Sequence, residues 1–589
     1  MTIGRFARDL GFGATVLPAG RTRFRLWAPA RKNVAVVIGD AAPVAMAPEP
    51  DGWFFVELPC AAGSRYRYRL DDGTLVPDPA SRFQPEDVHG PSEVVDPRAY
   101  GWRHRGWAGR PWHEVVLYEA HVGCMGGFGG VARALPALQA LGVTAVELMP
   151  IADFPGRHNW GYDGVLPFAP DGAYGTPDEL KALVDAAHGL GMMMFLDVVY
   201  NHFGPDGNYL GLYAPQMFRD DLHTPWGHAI DFRRMEVRDF FTENALYWLD
   251  EYHFDGLRLD AVHEICDPGW LDEMADEMRR VIGSARQVHL VLENERNEAS
   301  HLMRDIDAQW NDDGHHAFHV LLTGEDGGYY KDYADAGASA LARVMAEGFF
   351  FQGQLSSHRG KQRGTPSAEL PMTAFVLFLQ NHDQIGNRAL GERLTTLADP
   401  AALEAAIAAQ ILCPQIPLIF MGEEVASRTP FLFFTDHDAD LGALVREGRR
   451  KEFAHFAAFA DPAQHARIPD PNDAATFEAS IPRPDPAYAE QRQALYRRLI
   501  DIRMREIAPH IERARALGTT VLGEAAIEAR WRLGDRGVLT LAVNLAQAAV
   551  ALTPPTGRLL FAIPDAAGGR AGLGELPAHS CVVFLDHTG

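Results

Sequence analysis

From Gly256 to Glu295 the chain reads GLRLDAVHEICDPGWLDEMADEMRRVIGSARQVHLVLENE. A short, almost wholly apolar run is followed by a polar loop, an amphipathic stretch at helical spacing and a second apolar run. Continuous apolar runs mark strands buried on both faces, and a helix between them is the crossover that parallel pairing requires. Working outward, similar runs begin at Val115 (VVLYEAHV), Val143 (VTAVELMP), Met192 (MMMFLDVV), Ala374 (AFVLFLQNHD) and Ile416 (IPLIFMGEE), with a shorter and more polar run, DAQWND, at Asp307. Counted with GLRLDAV and HLVLENE these are eight, the number that closes a TIM, or (β/α)8, barrel. The sixth is the weakest of them. The loop after the third, about Asn201 to Phe232, is long, and long loops after barrel strands carry function.

The flanks read differently. Between Thr22 and Leu70, short alternating runs (TRFRLWAP, NVAVVIG, WFFVELP, YRYRL) separated by turn residues predict a β-sandwich. Val76 to Gly109, rich in Pro, Asp and Trp, reads as a linker packed across a domain boundary. After Arg513 the short-strand pattern returns (WRLGDRGVLTLAVNL, RLLFAI, SCVVFLD). The expectation is a multidomain chain: an N-terminal immunoglobulin-like β-sandwich over residues 1–100, a catalytic (β/α)8 barrel over 101–512 and a small C-terminal β-domain over 513–589.

Composition narrows the partners. With 78 acidic and 54 basic side chains the formal charge is −24, which repels phosphate backbones and anionic lipid, so neither nucleic acid nor membrane is expected. A neutral polyhydroxylated ligand is indifferent to that charge. Five scattered cysteines without CxxC spacing suggest neither a disulfide framework nor a zinc site, and fit a reducing compartment. The start, MTIGRFARDLGFGAT, has no continuous apolar core of a signal peptide, and Ala401–Gly422 reads as a barrel helix running into a strand rather than a membrane span. A cytoplasmic protein is expected.

Polar residues collect at the C-terminal ends of the runs: Asp197 and His202 after the third, Arg258 and Asp260 on the fourth, Glu293 on the fifth, His382 and Asp383 after the seventh. That rim is where such barrels carry out chemistry. Glycoside hydrolysis needs one ionised and one protonated carboxyl, and Asp260 and Glu293 fit those roles. Arg258 shares a strand face with Asp260 by the period-two rule, so its charge is expected to hold Asp260 ionised. Glu293 lies in an apolar strand, where desolvation is expected to raise its pKa toward the value an acid needs.

Four segments, DVVYNH (197–202), GLRLDAVH (256–263), VLENE around Glu293 and QNHDQ (380–384), resemble the signature regions of the α-amylase family, glycoside hydrolase family 13. The resemblance implies that Asp260 is the nucleophile, Glu293 the general acid and base, and Asp383 the residue that grips the sugar hydroxyls and stabilises the transition state. It further implies substrate-binding roles for His202 and His382, an aromatic platform at Tyr162, and a supporting role for Asp197 beneath Arg258 and the nucleophile. His263 stands where relatives often carry a lysine on the acceptor side. Many family members hold calcium through the asparagine of the first signature and a domain after the third strand. Asn201 is present, but the loop is short for that domain, so no metal and no cofactor are expected.

Outside the signatures, LMPIADFPGRHNWGYDG (148–164), WNDDGHHAFHVLLTGEDGGYYKDY (310–333) and MGEEVASRTPFLFFTDH (421–437) are similar to the branch of the family that acts on maltooligosyl trehalose. That implies release of trehalose from the end of a maltooligosyl chain, with related α-glucans as further ligands and a maltooligosyl trehalose synthase as functional partner. Glu423, Glu424 and the Gly353–Gly364 loop with Arg359 are candidates for the acceptor pocket. The alternatives are a glycogen branching enzyme, a general α-1,4-glucan hydrolase and, from another class, a non-catalytic glycan-binding barrel.

Overall fold

The eight apolar runs pair in chain order into a closed parallel barrel: β1 (Leu117–Ala120), β2 (Ala145–Leu148), β3 (Met193–Val198), β4 (Gly256–Leu259), β5 (His289–Leu292), β6 (Ala308–Trp310), β7 (Phe375–Leu377) and β8 (Ile416–Phe420). The computed structural model describes residues 6–267, 269–453 and 467–587. Every residue of the eight strands is buried, which is why the runs are continuous rather than alternating. The short β6 carries a polar residue, Gln309, whose Nε2 is bonded inside the protein, donating to the Asn294 carbonyl at 2.9 Å and to Asn297 Oδ1 at 3.2 Å. Gly256 opens β4 opposite Phe195, and a Cβ there would lie 2.1 Å from the Phe195 ring. The ring fills the interior that a side chain at 256 would need.

Helices follow most strands: α1 (Gly127–Leu141), α2 (Pro177–Gly189), α3 (Met235–Leu246), α4 (Gly269–Ile282), α5 (Asp312–Thr323), α6 (Pro400–Leu412) and α7 (Ala489–Ile502). Their starts are locally encoded. Thr176 and Glu179 form a capping box with Pro177 in the first turn of α2, and Asp399 caps α6. The Ala401–Gly422 stretch is α6 leading into β8, as its interrupted hydrophobicity predicts.

Before the barrel, two antiparallel sheets face each other, one built from residues 13–17, 21–27, 53–59 and 47–48, the other from 44–45, 34–38, 65–70 and 75–76, with 92–93 also paired to 65–70. The following linker is pinned to the barrel by Asp185 of α2, which accepts from the backbone N–H and side chain of Arg103 and from the His104 N–H. After the barrel, a five-stranded antiparallel sheet starts at Ala514. The long loop after β3 folds into a hairpin, Phe218–Thr224 with Gly227–Ile230. All five cysteines are unpaired. Among the described residues no helix is long and apolar enough to cross a membrane, and no cluster of three His, Cys, Asp or Glu is arranged to hold a metal ion.

Candidate active site

Arg258 is the centre of the site because β4 turns it and Asp260 to the same face. Its side chain is fully buried, with the guanidinium carbon 4.2 Å from the centre of the Trp310 ring. Nη1 donates to Asp260 Oδ1 at 2.8 Å and to Asp197 Oδ2 at 2.7 Å. Asp260 also accepts from Asn201 Nδ2 at 3.0 Å. The asparagine of the first signature is thus turned inward onto Asp260. Tyr162 donates to Asp197 at 2.6 Å, and its placement starts one residue earlier. Gly161 has φ +102°, with the Pro150 carbonyl 2.1 Å from where a Cβ would sit, so only glycine delivers the ring here. Burial pushes the Asp197 carboxyl up to about 7 against the pull of Arg258, and burial followed by Asp197 pushes the Tyr162 phenol well up.

Glu293 follows β5 and differs from its expected setting. Arg258 Nη2 forms an ion pair with Glu293 Oε2 at 2.9 Å, and the same oxygen accepts from the Ala261 N–H at 2.8 Å. Its surroundings are therefore charged and polar, and the apolar setting expected from VLENE is not what encloses it. A strand residue's carboxyl sits beyond the strand end, where the neighbouring strand's arginine reaches it. Ala261 is in a left-handed conformation at φ 39°, an uncommon one for a residue with a Cβ. That bend aims its N–H at Glu293 and so links the residue after Asp260 to the second carboxyl.

At the end of β7, Asn381 caps a short helix that carries His382 and Asp383. His382 is buried beneath Tyr162, ring centres 5.1 Å apart and 24° from parallel, and its Nε2 lies 3.5 Å from Asp383 Oδ1. Asp383 is held by Asn387 Nδ2 at 3.1 Å and keeps about a third of its side chain exposed (34%). The structure thus brings Tyr162, Asp197, Arg258, Asp260, Glu293, His382 and Asp383 into one network.

His202 joins from below Tyr162, but both ring nitrogens face protein: Nδ1 the Asn201 side-chain oxygen and Nε2 the Tyr162 carbonyl at 2.9 Å. Burial lowers its pKa. The face of its ring is covered by Trp226, stacked at 4.6 Å and 11°, and that indole is half exposed at the tip of the hairpin after β3. His263 and Arg359 meet through Glu295, whose N–H reaches His263 Nδ1 at 3.4 Å and whose carboxylate pairs with Arg359 at 2.6 and 2.8 Å. Glu423 and Glu424 are instead turned into the barrel wall, accepting from Tyr496 at 3.0 Å and Tyr118 at 3.1 Å. They brace the end of β8.

Three polar groups of this site were not apparent in the sequence. Trp226 carries no pattern of its own in the loop. Asp312, first residue of α5, accepts from Gln384 at 3.4 Å, and burial together with the charge of Glu293 pushes it up to about 8. Glu119, in the middle of β1, binds His382. For Asp312 the only local signal is its place directly after a barrel strand; for Glu119 it is an acid inside an apolar run.

A closed (β/α)8 barrel with Asp, Glu and Asp at the ends of β4, β5 and β7 defines an α-amylase-type glycoside hydrolase, and the alpha amylase catalytic-domain family matches residues 89–211. Residues 514–583 match a domain of unknown function, DUF3459. The chain is 44% identical over 476 residues to the malto-oligosyltrehalose trehalohydrolase of Deinococcus radiodurans (79% of this chain, 78% of that one). It is 38% identical over 601 residues to that of Rhizobium sp. strain M-11, covering 96% and 98%. A crystal structure from Salmonella typhimurium described as an alpha amylase matches at TM-score 0.92 and 43% identity, over 98% of this chain and 100% of that one. The chain belongs to the malto-oligosyltrehalose trehalohydrolase family.

Proposed function

We propose that this protein hydrolyses the α-1,4 bond next to the terminal trehalose of maltooligosyl trehalose, releasing trehalose and a shortened maltooligosaccharide with retention at the anomeric carbon. The observation that carries the chemistry is one guanidinium, that of Arg258, spanning Asp260 and Glu293. A fork of that size suits the roughly 5 Å carboxyl separation of retaining enzymes. Substrate choice is supported by the near full-length relatives.

Asp260, bonded to Arg258 and Asn201, attacks the anomeric carbon of the sugar next to the trehalose. Its contacts fall on Oδ1 and Oδ2 alike, which fixes the attack direction. Both contacts of Glu293 fall on Oε2, leaving Oε1 to give its proton to the departing trehalose oxygen. The glycosyl ester then forms as the α-1,4 bond breaks. In the second half Glu293 takes a proton from water, the water oxygen replaces Asp260 at the anomeric carbon, and both carboxyls return to their starting states. Asp383 and His382 grip the sugar hydroxyls from the opposite wall, and the His263–Glu295–Arg359 group faces the acceptor side. A polar acceptor pocket discriminates because a wrong sugar leaves buried groups unpaired.

The substrate implies a synthase that builds the terminal trehalose unit in the same compartment. The five unpaired cysteines support a reducing, cytoplasmic one. Product analysis after incubation with maltooligosyl trehalose and, separately, with maltopentaose tests the reading. Fast trehalose release from the first with much slower cleavage of the second is expected. Equal cleavage of both would make it a general α-1,4-glucan hydrolase, and longer or branched products would make it a transferase.

A further inference from the structure

Glu119 is an acid in the middle of a strand whose four residues are all buried. Burying a carboxylate is costly unless it is paired, and this one is paired to a single residue. Its Oε1 lies 2.5 Å from His382 Nδ1 and its Oε2 accepts the His382 backbone N–H at 3.2 Å. Strand register sets Glu147 of β2 directly beside it. Glu147 is fully buried, and neither of its oxygens has a hydrogen-bond partner. Burial first, then the charges of Glu119 and Asp197, push its carboxyl well up, whereas the neighbouring Glu119 has a His382 nitrogen against each of its oxygens.

This arrangement decides what the other edge of the His382 ring can do. With Nδ1–H committed to Glu119, Nε2 is an acceptor if the ring is neutral and a donor if it is charged. We propose, building on the glycosidase reading, that Glu119 is a positioning residue that acts through His382: it fixes the ring through Nδ1 and keeps it a cation whose Nε2–H serves the sugar hydroxyls beside Asp383. The groups that face the ring come from every side of the barrel: Glu119 from β1, Glu147 from β2, Asp197 from β3 and Arg258 from β4, with Tyr162 above it, His121 just beyond β1, and Asp383 next in sequence. Burial works to lower the His382 pKa, while Asp383 and Glu119 outweigh it and carry it up to about 9. A neutral ring would accept rather than donate and would leave Asp383 without its neighbouring cation.

The experiment is a 15N-histidine NMR titration of the full chain, with His382 assigned among the 24 histidines by the His382→Gln variant. The ring is expected to titrate near 9 in the native protein and at or below the ordinary 6.5 in Glu119→Gln. In parallel, kcat/KM of Glu119→Gln should fall about 10- to 100-fold at about pH 8, the worth of one charge-assisted hydrogen bond, and recover most of that at about pH 5.5 where the ring regains its proton. In a His382→Gln background, adding Glu119→Gln should cost less than about 3-fold, because the two changes break the same interaction. An unchanged His382 titration, or an equal cost of Glu119→Gln in both backgrounds, overturns the proposal and makes Glu119 a packing residue. If Glu119→Gln does not fold, Glu119→Ala replaces it, and a native-like titration in that variant, which carries no carboxylate, counts against the proposal in the same way. Failure to hydrolyse any α-glucan would sink the functional reading alone, since the titration needs no substrate.

Discussion

Strand β4 carries an aspartate at each end, Asp255 just before it and Asp260 just after it, and the two are treated in opposite ways. Asp255, at the N-terminal face of the barrel, is sealed and fully paired: His188 at 2.9 Å, the Met194 N–H at 3.0 Å, Trp107 at 2.8 Å and Arg286 at 3.3 Å. Burial would raise its pKa, but His188 and Arg286 outweigh that and hold it at about 2. At the C-terminal face one guanidinium is shared by three carboxylates, Asp197 is pushed up to about 7, and Asp197 Oδ1 and both oxygens of the nearby Glu147 have no partner. One end of the strand spends its charges on stability, and the other leaves them under-compensated for chemistry.

Removing the two carboxyls proposed to react should break the comparison most sharply. Asp260→Asn and Glu293→Gln are each expected to lower kcat by about 10⁴-fold or more, as loss of a reacting group does elsewhere, with little change in thermal midpoint. A melt that drops with the activity would show that the rim charges hold the barrel together. Asp255→Ala should do the reverse. Stranding His188 and Arg286 without their buried partner costs about 3–5 kcal/mol, read by urea unfolding, while kcat of the folded fraction stays within about 2-fold.

The two ends should also differ in the sign of their pH dependence. Asp255 has a depressed folded pKa, so its contribution is present above 3.8 and lost as pH falls toward about 2. Asp197 has a raised one, so its contribution is present below 3.8 and lost as pH rises through about 7. Melting curves against pH should therefore lose the fall in stability below 3.8 in Asp255→Asn and the fall between 3.8 and about 7 in Asp197→Asn. The same slope change in both variants would erase the distinction. The smallest effect is expected at Ala261. Glycine relieves the left-handed backbone but adds unfolded-state entropy, so Ala261→Gly should shift stability by less than about 1 kcal/mol. Ala261→Val, β-branched at the same φ, should lower both stability and kcat.

Much of this was legible along the chain. Seven of the eight strands follow from apolar runs, the sixth from its place in the repeat, and Arg258 and Asp260 share a face because side chains in a strand alternate. The position of Glu293 was readable too, but its environment was not. VLENE looks apolar in sequence, and the charge beside Glu293 arrives from β4. His202 is similar: its place in the first signature is plain, whereas the commitment of both its nitrogens to Asn201 and Tyr162 depends on how two loops meet. Glu423 and Glu424 looked free at a strand end, and only the packing of α7 and β1 shows them engaged.

The sequence by itself determined the barrel, the order of its strands and which carboxyls stand at its rim, since burial on both faces and side-chain alternation are local patterns. Only the tertiary structure decided which of those acids are paired, which ones burial pushes up and which histidine is set against a buried carboxylate. Glu119 and His382 are 263 residues apart, and Asp255 and Asp260 look alike in HFDGLRLDAVH. Charge state depends on partners a few ångströms away through space, and in a closed barrel those partners come from strands distant in the chain.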